Sequence, residues 1–125
     1  MLKINADLSI YLTRGDVAVL ETGASNNEQE PYMFKTGDIV RFTVVERGDY
    51  ESVVFSKDVV VENETPTVDI CLTGDETKLG EPINKPKDYW YEIELNPDIA
   101  PQTLIGHDNS GPKIFRLFPE GVVVK

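Results

Sequence analysis

Residues 89–95 read Tyr-Trp-Tyr-Glu-Ile-Glu-Leu, and their period is two. Tyr89, Tyr91, Ile93 and Leu95 fall on one side, and Trp90, Glu92 and Glu94 on the other. A strand turns successive side chains to opposite faces, so this heptapeptide describes a strand with one buried and one outward face. A helix of the same residues would scatter the apolar set around its circumference.

The same period recurs along the chain. Leu8, Ile10 and Leu12 alternate with Ser9, Tyr11 and Thr13. Val40, Phe42 and Val44 alternate with Arg41, Thr43 and Val45, and Val68, Ile70 and Leu72 with Asp69, Cys71 and Thr73. These residue types suit a pleated surface. Further strands are predicted at Val17 to Glu21, Tyr32 to Lys35, Ser52 to Val61, Pro101 to Gly106, Lys113 to Phe118 and Val122 to Val124. No stretch of helical length carries an apolar stripe with caps.

Turn residues separate these runs. Gly-Asp occurs at Gly15-Asp16, Gly37-Asp38, Gly48-Asp49 and Gly74-Asp75. Glycine takes positive φ without a steric penalty, and Asp bonds to nearby backbone N–H groups. Two of the pairs follow arginine, giving Arg14-Gly15-Asp16 and Arg47-Gly48-Asp49. Both lie between apolar runs, where connections belong, and are read as turns rather than as integrin-type adhesion signals. Many short strands with regular turns predict an all-β, immunoglobulin-like antiparallel β-sandwich, with residues 1–125 as a single domain.

The chain has 125 residues, enough to bury a core without disulfides or metals. Its net charge of −10 repels phosphate backbones, so no nucleic acid is expected as a partner. The lone Cys71 excludes an internal disulfide, and is read as a small buried hydrophobe or a strand residue. The N-terminus lacks the basic and unbroken apolar segments of a signal peptide, and no run approaches the roughly 20 apolar residues of a membrane span. Synthesis in a cytoplasm without signal-peptide secretion, and no membrane partner, are the expectations.

No catalytic, cofactor-binding or metal site is marked. One histidine, His107, and one cysteine cannot assemble the usual zinc ligands. Asp108, Asn109 and Ser110 offer oxygens but lack the spacing of an EF-hand, and local turn chemistry accounts for them better. His107 reads as an exposed loop residue. Glu92 and Glu94 share a strand face as a glycosidase pair would require, but that face is the polar complement of an apolar row and reads as solvated. Trp90 is the residue to watch: it points to the polar side with those carboxylates, and an outward tryptophan is either an interface residue or covered by another segment. Phe115 and Leu117 fall on one side of the 113–118 run and Ile114 and Phe118 on the other. Both sides are therefore apolar, and coverage of both is expected. Trp90, Ile114 and Phe118 are the candidate interface residues.

Several of these elements together resemble a known family. Arg14-Gly15-Asp16, Gly37-Asp38, Thr77-Lys78-Leu79, Tyr89 to Leu95 and Thr103 to Gly106 follow the order of turns and strands in the N-terminal domain of phage baseplate upper proteins from Firmicutes. The resemblance implies an immunoglobulin-like structural or assembly module of a phage tail, baseplate or fibre. It implies no catalysis and no cofactor, and its partners would be tail or baseplate protein subunits or further copies of the chain. Baseplate upper proteins continue into a fibre-forming region, whereas this chain stops after Lys125; the expectation is therefore the module alone, a smaller tail, baseplate or fibre-associated component or a prophage protein of unassigned role, made in the bacterial cytoplasm and then placed in the virion. The alternative reading is a carbohydrate-binding sandwich that uses Trp90 and neighbouring tyrosines as a stacking platform.

Overall fold

A computed structural model describes residues 2–24 and 31–120. Nine strands run through them: β1 (Leu2–Ile4), β2 (Ile10–Thr13), β3 (Ala18–Gly23), β4 (Ile39–Glu46), β5 (Asp49–Val60), β6 (Thr67–Leu72), β7 (Lys87–Leu95), β8 (Gln102–Ile105) and β9 (Lys113–Phe118). The chain is all-β, as the alternation requires. Seven strands form one sheet in the order β1-β2-β9-β7-β4-β5, with β8 beside β7, and β3 and β6 form a second sheet.

Alternation decides which side chains meet. Val40, Phe42 and Val44 from β4, Tyr89, Tyr91, Ile93 and Leu95 from β7, and Phe115 and Leu117 from β9 are buried. They share one core with Leu20 of β3 and Val68, Ile70 and Leu72 of β6, so the two sheets face each other across it. Phe42 lies at its middle, with its ring 5.8–6.4 Å from those of Tyr91, Phe115 and Phe55. Burying such a ring is worth about 1.5–3 kcal/mol from the apolar surface removed from water.

Most pairings are antiparallel, but β2 and β9 run parallel, Ile10 opposite Phe115 and Leu12 opposite Leu117. The expected antiparallel arrangement thus holds for every strand pair but this one among the described residues. β2 must bring Ile10 and Leu12 over the core, and the free edge of β9 accepts it in the same direction. β8 and β9 both lie antiparallel along one edge of β7, β8 against its last residues and β9 against its first. They amount to one long strand interrupted by residues 106–112.

Other differences have local causes. Residues 32–35 make no strand; Phe34 forms an isolated bridge to Thr65 and buries its ring. β5 starts at Asp49, earlier than its apolar run indicates, because the turn at Arg47-Gly48 returns the chain directly onto β4. Leu2–Ile4 was not predicted, since β1 is an exposed edge strand without a buried row. Cys71 is a strand residue and exposed, not buried. The predicted strand at Val122 to Val124 lies outside the described residues.

A polar clasp joins the connection after β2 to the connection after β6. The Gly15 N–H donates to the buried Thr77 hydroxyl at 3.1 Å, and that hydroxyl lies 2.8 Å from the Asp16 carbonyl it donates to. Gly74 lets the two backbones touch: a Cβ there would lie 2.7 Å from the Gly15 carbonyl oxygen. The Arg14 guanidinium donates to the carbonyls of Leu79 and Gly80 and sits 3.5 Å from Glu120. Nearby, Lys57 of β5 reaches the small sheet, donating to the Cys71 carbonyl and to Glu76.

Two stability outcomes follow. Phe42→Ala is expected to cost about 3–5 kcal/mol in urea denaturation, and the outward Val19→Ala within about 0.5 kcal/mol. Equal midpoints would show the register to be wrong. Thr77→Val keeps the side-chain shape but strands the Gly15 N–H and the Asp16 carbonyl, for a loss of about 1–3 kcal/mol, while Thr77→Ser recovers most of it.

Candidate functional site

The outer face of the large sheet is built from the residues that β7 does not bury. Register places Trp90 opposite Ile114 of β9 on one side and opposite Val45 of β4 on the other. Glu92 lies opposite Thr43, and Glu94 opposite Arg41. The three candidate interface residues, Trp90, Ile114 and Phe118, thus share this face, and all are half-buried. The expected covering of Ile114 and Phe118 comes partly from neighbours on the face itself: Phe118 meets Tyr11 edge-on at 5.6 Å. The Arg116 guanidinium lies over the Tyr11 ring and forms a two-pronged pair with Asp88 at 2.6 and 3.1 Å.

Two aromatic residues that the sequence did not assign join Trp90. Tyr50, near the start of β5, brings its ring within 5.2 Å of the indole. His107, from the segment between β8 and β9, brings its ring within 6.2 Å of both, and its Nδ1 lies 3.2 Å from the Tyr50 hydroxyl. His107 is exposed and in a loop, as read, yet it is part of a ring cluster. One local signal did point here: Val44-Val45 breaks the alternation of β4. Val45 follows Arg41 and Thr43 to the outer face opposite Trp90, and the β4–β5 register shifts beside it.

Beside the ring cluster is a cleft of about 360 Å³. Thr43 and Val45 belong to its β4 side, Tyr50, Val53 and Ser56 to β5, and Glu92 and Glu94 to β7, with Arg41 at one end. Glu92 and Glu94 are therefore half-buried in a concavity rather than on the fully solvated strand face expected. Burial, and then the negative charge of Glu94, hold the Glu92 carboxyl above its usual range, against a smaller opposing effect of His107. Burial and Glu92 likewise push the Tyr50 phenol up.

Arg41 is committed elsewhere. Its Nε and Nη2 donate to the two Asp58 oxygens at 2.7 and 3.0 Å, and Nη1 and Nη2 donate to Asp98 at 3.3 and 3.0 Å. The Asp108 turn is also closed on itself: one carboxylate oxygen accepts from the Ser110 N–H and hydroxyl and from Lys113 Nζ. This is the local turn chemistry read from the sequence. Among the described residues no group of three His, Cys, Asp or Glu could hold a metal ion.

The chain matches no family model, no curated protein and no solved structure.

Glu92 supplies a pH signature. Below the ordinary carboxylate range both the folded and the unfolded chain carry its proton. Between the ordinary value and the raised folded value only the folded chain does, so folding takes up a proton and raising the pH costs stability. Above the folded value the loss stays constant. In urea titrations between pH 4 and pH 8, Glu92→Gln is expected to remove this component, leaving the variant at least as stable as the parent at pH 7. A variant markedly less stable at pH 7 would show that the carboxylate is compensated in the folded state.

Proposed function

We propose that this chain is a non-catalytic, immunoglobulin-like β-sandwich that serves as a structural or assembly module of a phage tail, baseplate or fibre, held by protein–protein contacts on the outer face of its large sheet. The observation that carries the reading is the gathering of Trp90, Ile114, Phe118, Tyr11 and Tyr50 on one face, interspersed with charged groups. Tryptophan, tyrosine and arginine are the residues that dominate protein interfaces, and this face holds all three.

Strand order supports the fold. In immunoglobulin domains one sheet contains C-F-G, extended by C′ in variable types, and the B and E strands lie in the other. The order β5-β4-β7-β9 corresponds to C′-C-F-G, and the β3–β6 pair to B–E. Tyr89, near the start of the F-like strand, places its hydroxyl beside Gly80 in the connection before it. That is the neighbourhood of a tyrosine corner. The order of turns and strands shared with baseplate upper proteins supports the assembly role. Synthesis in a bacterial cytoplasm followed by incorporation into the particle is the course that fits it.

The carbohydrate reading has less support. The indole of Trp90 meets Tyr50 and His107 within the chain, so part of the surface a sugar would stack on is already used.

The protein is expected to co-sediment with tail particles from an induced lysogen that encodes it. Trp90→Glu should weaken that association by about 2 kcal/mol or more, roughly thirtyfold, with thermal unfolding shifted by only a few degrees. Recovery of the protein solely free of virion proteins would overturn the reading. Glycan-array binding abolished by Trp90→Ala would favour the carbohydrate alternative.

A further inference from the structure

We infer that the cleft beside Tyr50 is a socket for a basic side chain, arginine or lysine, presented by the protein that docks on this face. The inference rests on the protein-binding reading above and names the chemistry of the contact.

Its basis is an imbalance of partners. The arginine beside the cleft is already engaged, Arg41 with Asp58 and Asp98, and further along the face Arg116 is held by Asp88. Glu92 and Glu94, two residues apart on the same side of β7, make no hydrogen bond or ion pair with the described residues. Arg41 stands opposite Glu94 in register but turns its guanidinium to the two aspartates. Two aspartates thus take up the guanidinium, and the two glutamates that share the cleft with it make no ion pair to it. The imidazole of His107 is the other group able to carry positive charge here, and its effect on Glu92 is smaller than those of burial and Glu94.

The lining fits a cation with an apolar stem. The Tyr50 ring, 37% exposed and backed by Trp90, offers a π face to a positive charge. Val53, 56% exposed, offers apolar surface to the methylenes that Lys and Arg bury along their length. At about 360 Å³ the cleft is at the small end of the range of about 300–1,000 Å³ for ligand sites, suited to one side chain. A neutral sugar would need donors as well as acceptors. The strongest donor here, Arg41, is spent, and beside the neutral hydroxyls of Thr43 and Ser56 the charged groups left without an ion pair are both negative. A net charge of −10 would also steer a basic partner towards the chain.

The test is an NMR titration of the ¹⁵N-labelled protein with acetyl-Arg-Arg-Arg-amide, with acetyl-Gln-Gln-Gln-amide as the neutral control. The arginine peptide is expected to shift the Trp90 indole N–H and the amides of Thr43 and Val45, and the glutamine peptide is not. Glu92→Gln combined with Glu94→Gln should weaken binding at least tenfold, and Tyr50→Leu severalfold. Asp69→Asn, an exposed acid on the outer side of the small sheet, should leave affinity within twofold. Equal shifts with both peptides, unchanged affinity in the double variant, or an equal loss with Asp69→Asn would overturn the inference. Particle association separates this failure from that of the wider reading. If the double variant still co-sediments and Trp90→Glu does not, the face docks a protein without using the socket. If both variants co-sediment like the parent, the face is not the docking surface.

Discussion

The pleat of β7 is the constraint on which the rest depends. Successive side chains of a strand point to opposite faces, so Tyr89, Tyr91, Ile93 and Leu95 cannot be buried without presenting Trp90, Glu92 and Glu94 outward. A slip of one residue would place two carboxylates and an indole in the core and expose the apolar row. The cost of that exchange fixes the register against β4 on one edge and β9 on the other. Placement of the outer cleft is thus inherited from core packing, and its carboxylates need no interaction of their own to hold position.

Charge on the outer face is arranged by a second constraint, the geometry of guanidinium. Arg41 and Arg116 each present a planar fork that suits a carboxylate bidentately, and each has an Asp in range on a neighbouring strand. Such partly exposed pairs add little to stability, about 0–1 kcal/mol. Their larger effect is selective: they occupy the cations with short Asp side chains and leave the two glutamates of β7 without a partner. The electrostatic character of the cleft follows from that allocation more than from the number of acidic residues in it.

Much of this was legible where the controlling interactions are local. The buried rows of β4, β6, β7 and β9 follow from alternation alone, and Trp90 stood out because it occupies a polar position in such a row. Tyr50 and His107 were not legible, because each reaches Trp90 through tertiary structure: one across β4 from an edge strand, the other from an excursion that interrupts the strand formed by β8 and β9. The parallel β2–β9 pair was hidden for the same reason, since nothing in residues 10–13 encodes the direction of a partner a hundred residues away. β1 lacked a signal because an exposed edge strand buries no row that could create a period.

The Gly-Asp turns show how one dipeptide serves different physical needs. At Gly15, Gly37 and Gly48 the φ angles are 91°, 93° and 83°, in the left-handed region that favours glycine. Gly74 has no such angle; a side chain there would strike the Gly15 carbonyl, so the requirement is close approach. The two Arg-Gly-Asp copies divide in the same way. Arg14 has a side chain only 11% exposed, with its guanidinium spent on backbone carbonyls of the connection after β6, so it acts as a rivet rather than a displayed group. Arg47 sits at an exposed hairpin, but the adjacent Asp49 carboxylate folds back onto the Glu51 N–H and the Ser52 hydroxyl. A displayed adhesion loop needs both charges turned to solvent, and neither copy has that arrangement. The sheet face instead gathers two glutamates without an ion-pair partner beside an aromatic cluster, and no tripeptide motif marks the place.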